Sequence, residues 1–394
     1  MNLLVLSYHD DDFRLLTQYT IPTLNKLIKK QVFITLLYVH PEGYNIEEIF
    51  KLADNNIEIR NIAFEKKKNY LCFAESFFEP ENKTKIINIL EEILIEKTFD
   101  IIQLDSIIFS VFMQNFASLS RDSMLIYRQY LDEVGMVSEK FQSYKLQIFK
   151  NLNVKKLTNR LKSVLEFNIK KFDFVITSVP DVIPDYSYSN NYFILPDKLP
   201  QKSTETKNKL HIKKIFFAGP LYLTETQRSL LWFINETWDQ LQEQTPEIEL
   251  HLYGKSEKWF TDIITKHPRV FYYSPEETDL DTFLSDKGIL LIPYSRPMGI
   301  FPEFIHAIQM GKVIIAHTEA IHGWGLTAMI NFMPARSRDQ FIEAIMHIYK
   351  KSEIQEYFSK QILKFAQEKI DPDYLTNILV NFYHLLIKNE KHYE

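Results

Sequence analysis

The sequence predicts two doubly wound α/β domains in tandem, and three observations carry that expectation. The 394 residues suit two domains of ordinary size. Short apolar runs alternate with segments of helical periodicity, the rhythm of parallel βαβ units, and that rhythm breaks off and restarts once. Glycine is scarce and unevenly placed, at 9 residues, about 2% of the chain against a usual ~7%. Gly43 and Gly135 stand alone in the first half, and the other seven lie between Gly219 and Gly325.

The first domain is expected over residues 1–200. Strand-like runs are Asn2 to Ser7, Gln31 to Val39, Ile57 to Phe64, Asp100 to Leu104, Phe172 to Thr177 and Tyr192 to Leu195. Helical spacing fills Thr17 to Lys30 and Asn82 to Lys97, and a tract from Ser138 to Lys171 interrupts the alternation. The polar stretch Pro196 to Asn208 reads as a linker. A second domain is expected over 207–370. Its strands are Lys214 to Ala218, Glu249 to Tyr253, Val270 to Tyr273, Gly288 to Ile292 and Lys312 to Ala316, with helices at Thr226 to Gln244, Trp259 to Lys266 and Glu303 to Met310. Helices fill Asp339 to Lys350, Ser352 to Glu368 and Pro372 to Lys388, and the segment 371–394 is expected to return toward the first domain.

Composition narrows the function. Hydrophobic residues make up 45% and charged residues 25%, as in globular chains with a real core. The net charge of −5 gives no basic field for nucleic acid. Apolar runs fall short of the ~20 residues that cross a bilayer, and Leu3 to Leu6 is too short for a signal peptide. The single cysteine, Cys72, cannot pair internally. A cytoplasmic setting is expected. Three glycines within six residues, the dinucleotide fingerprint, occur nowhere, which argues against a nicotinamide dehydrogenase, and no P-loop is present.

Ligands of open α/β sheets bind beyond the carboxyl ends of strands, at turns into helix N-termini. Gly219, Gly254 and Gly299 stand at such turns. The segments Phe216-Phe217-Ala218-Gly219-Pro220-Leu221, Ile248 to Gly254 and Ala307-Ile308-Gln309-Met310-Gly311-Lys312-Val313-Ile314-Ile315-Ala316 follow one another in order. His322-Gly323 comes after them. Over about Lys214 to Leu326 this succession resembles the donor-binding domain of GT-B glycosyltransferases, above all the retaining glycosyltransferase family four. The resemblance implies two Rossmann-like domains facing across a cleft, with a nucleotide-diphosphate sugar held by the second. It implies retention at the anomeric carbon, without metal or cofactor.

The family's two glutamates fall, by alignment on Gly311, at Met298 and His306, and its basic pair after the Gly219 strand is absent. A diphosphate still needs compensating charge. Lys255 and Arg296 are the cations offered, although either is also an ordinary solvated charge. His306 can bond a ribose hydroxyl or pack with one satisfied nitrogen. Glu303 lies on nearly the same helix face and is favoured by the helix dipole in any case. The backbone amides of Gly299, Ile300 and Phe301 can bind phosphate or sugar whatever the side chains.

In the first domain His9 and Asp10, in the loop after the first strand, and Asp105, after Asp100 to Leu104, are candidates to contact an acceptor hydroxyl. Asp10 to Asp12 read as helix-capping carboxylates rather than a metal site. From Lys140 to Lys171 nine basic residues face one acid, Glu166, with apolar residues at helical spacing. Such a segment either lies peripherally on an anionic membrane at its inner face or forms a solvated helix face. The expected activity is sugar transfer from a nucleotide-diphosphate sugar to a glycan, lipid-linked or protein acceptor. The alternative is a glycosyltransferase-like binding or regulatory subunit without catalysis.

Overall fold

The computed structural model describes residues 1–8, 16–65, 73–119, 122–129, 148–177, 192–194, 213–295, 301–322, 324–370 and 372–390. The chain divides into two compact units, Met1–Lys198 with Pro372–Glu394, and Leu199–Asp371.

The first unit is built on a parallel sheet of β1 (Asn2–Tyr8), β2 (Phe33–Pro41), β3 (Ile57–Phe64), β4 (Ile101–Leu104), β5 (Met124–Gln129), β6 (Phe174–Thr177) and β7 (Tyr192–Ile194). Their order is β3-β2-β1-β4-β5-β6-β7. β1 is central, and its Leu-Leu-Val-Leu run follows from burial on both faces. Alternate side chains divide between two cores. Leu3 and Val5 join the core that includes Leu24, Leu379 and Tyr383. Leu4 and Leu6 join the core of Ile86, Phe109 and Leu161. The C-terminal helix, Pro372–Glu390, packs on this first unit. Phe382 meets Phe174 edge-on at 5.5 Å, and Asp373 pairs with Lys26 at 2.7 Å.

β5 has no counterpart among the strands expected from the sequence. Its apolar run is short, and it ends in Arg128 and Gln129, which are nonetheless buried. The helix Ile148–Asn168 explains the basic tract in part, residues 140–147 lying outside the described ones. Leu157 and Leu161 are buried in the unit's own core, so those two apolar side chains are not available to lipid. Lys155, Lys156, Arg160, Lys162, Lys170 and Lys171 point outward. Among the described residues no helix is long and apolar enough to cross a membrane.

The second unit is a parallel sheet of β8 (Lys214–Ala218), β9 (Glu249–Tyr253), β10 (Val270–Tyr273), β11 (Gly288–Ile292), β12 (Val313–Ala316) and β13 (Phe332–Pro334), in the order β10-β9-β8-β11-β12-β13. The apolar pattern of Thr226 to Gln244 is one helical course in three parts, a π turn at Ile234–Trp238 linking Thr224–Phe233 to Asp239–Gln244. Trp238 is fully buried there, its indole N–H donating to the Pro268 carbonyl at 2.9 Å. Both sheets thus reverse their winding beside the first strand of the unit, the arrangement that opens a crevice at carboxyl strand ends.

Candidate functional site

In the second unit the reversal lies between β8 and β11, and on the other side of β8 the turns that leave β8 and β9 touch. The Gly219 N–H donates to the Tyr253 carbonyl at 2.9 Å, and the Gly254 N–H to the Tyr273 carbonyl at 3.2 Å. Gly254 has φ +143°, and a Cβ on it would stand 1.8 Å from the Gly219 carbonyl oxygen. Only glycine lets the two strand ends approach this closely. The next turn is tied down by Gln227, whose side-chain amide donates to the Leu221 carbonyl at 3.0 Å and to Glu257 at 2.6 Å. Tyr272 closes the edge by donating its hydroxyl to the Gly254 carbonyl at 3.1 Å.

Several residues singled out in the sequence gather around these turns. Phe301 is buried and precedes the helix Pro302–Gln309, with its ring 3.8 Å from where a Gly219 Cβ would stand. Glu303 is half-buried in the first turn of that helix. Lys255 follows Gly254 and is exposed. Arg296, Gly299 and Ile300 lie outside the described residues. His306 sits one turn beyond Glu303, and its Nε2 is 2.6 Å from Asp281 Oδ1. Asp281 is a partner that no sequence spacing announced. It lies 25 residues earlier on the short helix Leu280–Phe283, and only the tertiary fold joins the two.

Two buried basic groups of this unit have structural duties. The Lys312 ammonium donates to the Asp286 carbonyl and lies 5.2 Å from the Phe216 ring centroid. Burial pulls its pKa down to about 8, against the opposing pull of Asp286. His251 stacks on Phe271 and Tyr273 at 5.1 and 5.6 Å. Its ring nitrogens sit 3.0 Å from the Tyr273 hydroxyl and 3.0 Å from Glu249. Burial lowers its pKa although Glu249 favours the charged form.

In the first unit His9 and Asp10 lie outside the described residues. Asp105 follows β4, where its N–H donates to the Leu6 carbonyl at 3.0 Å. Its carboxylate is buried and accepts from the Thr20 hydroxyl at 2.5 Å and from the Gln103 amide at 2.6 Å. Gln103 in turn accepts from the Tyr383 hydroxyl of the C-terminal helix. Burial raises the Asp105 pKa to about 6, opposed by the charge of Arg128 and the two hydrogen bonds. Asp105 is thus the centre of a buried polar network joining β4, the turn before the helix Ile21–Ile28 and the C-terminal helix. Among the described residues no group of three or more His, Cys, Asp or Glu gathers as a metal site.

No protein-family model matches the chain. An uncharacterized 44.6 kDa protein in the cps region of Klebsiella pneumoniae is 18% identical over 172 residues, 42% of this chain and 44% of that protein, so the match spans under half of the relative's length. Solved structures are similar over nearly the whole chain. HepE from Anabaena, in complex with UDP and glucose, shares 11% identity over 96% of this chain and 98% of its own, with a TM-score of 0.64. Sucrose-phosphate synthase from Thermosynechococcus elongatus shares 14% over 98% and 99%, at 0.66. TarM of S. aureus shares 10% over 97% and 98%, at 0.67. At these identities the likeness is one of fold: the chain has the two-domain α/β architecture of the GT-B glycosyltransferases.

Proposed function

We propose that this protein is a glycosyltransferase of the retaining family-four type, working in the cytoplasm and transferring a sugar from a nucleotide-diphosphate donor held by the second unit. The observation that carries the reading is the pair of glycine turns, Gly219 and Gly254, in contact at the carboxyl ends of β8 and β9, next to the β8–β11 reversal. Turns of this kind, leaving the carboxyl ends of parallel strands beside a winding reversal, are where ligands of open α/β sheets bind. The GT-B fold and neighbours solved with UDP support it. The acceptor, a glycan or a lipid-linked or protein hydroxyl, is assigned to the first unit. In the reaction the acceptor oxygen bonds to the anomeric carbon as the bond to the diphosphate breaks, and the acceptor's hydroxyl proton passes to the departing diphosphate. The chain contributes alignment and charge stabilisation of the departing diphosphate, with Lys255 as a cation, and no metal takes part.

Calorimetry against UDP, GDP, ADP and UDP-glucose tests this. Binding of at least one at sub-millimolar concentration is expected, and Lys255→Ala should weaken it by on the order of tenfold. Absence of binding at millimolar ligand refutes the reading. Met298 and His306, standing where the family has carboxylates, favour a second reading, a donor-binding subunit without catalysis. Donor binding with neither transfer nor hydrolysis in the presence of a broad acceptor panel would select it.

The outward cations of the Ile148–Asn168 helix support a peripheral contact with anionic lipid, suited to a lipid-linked acceptor. Phe167, 72% exposed beneath the Lys171 ammonium at 4.0 Å, adds an apolar tip. Each cation near such a surface contributes ~1 kcal/mol, screened by salt. Binding to anionic vesicles at low salt should vanish when Lys155, Lys156, Arg160 and Lys162 become glutamine. Indifference of the unaltered protein to those vesicles removes the lipid contact and favours a soluble acceptor.

A further inference from the structure

The turns that leave β8 and β9 meet at their glycines and are joined a second time by Gln227. This residue is buried near the N-terminus of the helix Thr224–Phe233. Its side-chain amide carries two N–H donors. One reaches the Leu221 carbonyl at 3.0 Å and the other a Glu257 carboxylate oxygen at 2.6 Å. A carbonyl and a carboxylate only accept, so the partners fix which way the amide points. Leu221 belongs to the turn after β8 and Glu257 to the turn after β9, so one side chain ties the two turns together. Glu257 stands at the N-cap of the helix Lys258–Ile264, yet its carboxylate bonds no N–H of that helix. The segment from Gly254 to Glu257 is therefore held at both ends. Gly254 is fixed by its N–H bond to the Tyr273 carbonyl and by the Tyr272 hydroxyl on its own carbonyl, and Glu257 is fixed by Gln227. Lys255 lies between them, exposed.

We infer that Gln227 is a positioning residue of the proposed donor site: by tying Glu257 to the turn of Leu221 it holds the backbone of Lys255 in place for the donor diphosphate. The inference rests on the donor-binding reading given above. Gln227 touches no ligand itself. It acts because the backbone that carries the cation is ordered before the donor arrives, so less freedom is lost on binding. The charge of Glu257 works in the opposite sense. An acid two residues from Lys255 weakens the binding of an anion by its charge alone. Holding Lys255 and repelling the ligand therefore predict effects of opposite sign when Glu257 is removed.

Calorimetry with UDP and UDP-glucose reads that sign. Glu257→Ala removes the acceptor and the charge together, and should weaken binding by about five- to tenfold. Glu257→Gln removes the charge but leaves a carbonyl oxygen for the Gln227 amide, and should keep the affinity. Gln227→Met, of similar length and without donors, should match Glu257→Ala. In a Lys255→Ala background Gln227→Met should bring no further loss, because the cation it places is gone. Unchanged or tighter binding by Glu257→Ala, beside normal binding by the unaltered protein, overturns this assignment alone. So does equal weakening by Glu257→Gln, and so does a Gln227→Met loss that multiplies with that of Lys255→Ala, the mark of a residue that serves the fold only. Should Gln227→Met fail to fold, the two Glu257 variants decide. If the unaltered protein binds no nucleoside diphosphate, the donor-binding reading falls and takes this assignment with it.

Discussion

Gly254→Ala is the sharpest perturbation of the second unit. The added Cβ would lie 1.8 Å from the Gly219 carbonyl oxygen and 2.9 Å from its carbon, whereas a carbon and an oxygen pack no closer than roughly 3.3 Å. The ends of β8 and β9 must therefore part by more than about 1 Å. That movement breaks the Gly219 N–H bond to the Tyr253 carbonyl, at about 1 kcal/mol. Holding an L residue near φ +143° adds about 1–3 kcal/mol, and displacing packed neighbours costs a similar amount. A loss of about 3–7 kcal/mol corresponds to about 10–20 °C in the unfolding transition of a unit this size. Gly219→Ala is the control, because its Cβ meets only ring carbons of Phe217 and Phe301 at 3.6–3.8 Å, ordinary contact. It should cost about 1 kcal/mol, chiefly for backbone conformation. Differential scanning calorimetry of the two variants decides the matter. Equal shifts, or a Gly254→Ala transition within about 2 °C of the unaltered protein, would show that the turns are not in contact.

The pH profile of stability should carry two opposed limbs. Asp105 holds its proton to about pH 6 in the folded protein and to about 3.8 when unfolded, so between those values the native state binds more protons. Its contribution, about 3 kcal/mol, is full below pH ~4 and lost as pH rises through ~6. Asp105→Asn should remove that slope from chemical-denaturation curves taken from pH 4 to 7, and an unaltered slope refutes the buried placement. Lys312 runs the other way, because its pKa drops from 10.5 to about 8 and the unfolded chain binds more protons between the two. Stability should rise by about 3 kcal/mol from pH 8 to above 10, and Lys312→Met should abolish that rise. Persistence of the rise in the variant assigns it to another group.

What the sequence disclosed and what it withheld divide along a physical line. Continuous apolar runs such as Leu3 to Leu6 and Ile289 to Ile292 signal strands buried on both faces, and glycines at their ends signal turns, because each constraint is local. β5 escaped notice because its last residues are Arg128 and Gln129. They are tolerated in the interior by partners from elsewhere in the unit. Arg128 lies in the electrostatic reach of Asp105, and Gln129 accepts from the Thr177 hydroxyl at 3.1 Å. A polar residue that is buried because of a tertiary partner reads in sequence as a surface residue. The Asp281–His306 pair was hidden for the same reason. In the proposed donor site this separates two layers. The backbone layer, where the two turns meet, is fixed by steric exclusion at Gly254. The side-chain layer departs from what the family resemblance implies, with His306 where a carboxylate is expected and Asp281 2.6 Å from its imidazole. The glycine contact fixes where the strand ends meet, whereas the side chains beside it are free to vary, so in the proposed function donor choice should be sought at Asp281 and His306 rather than at the glycines.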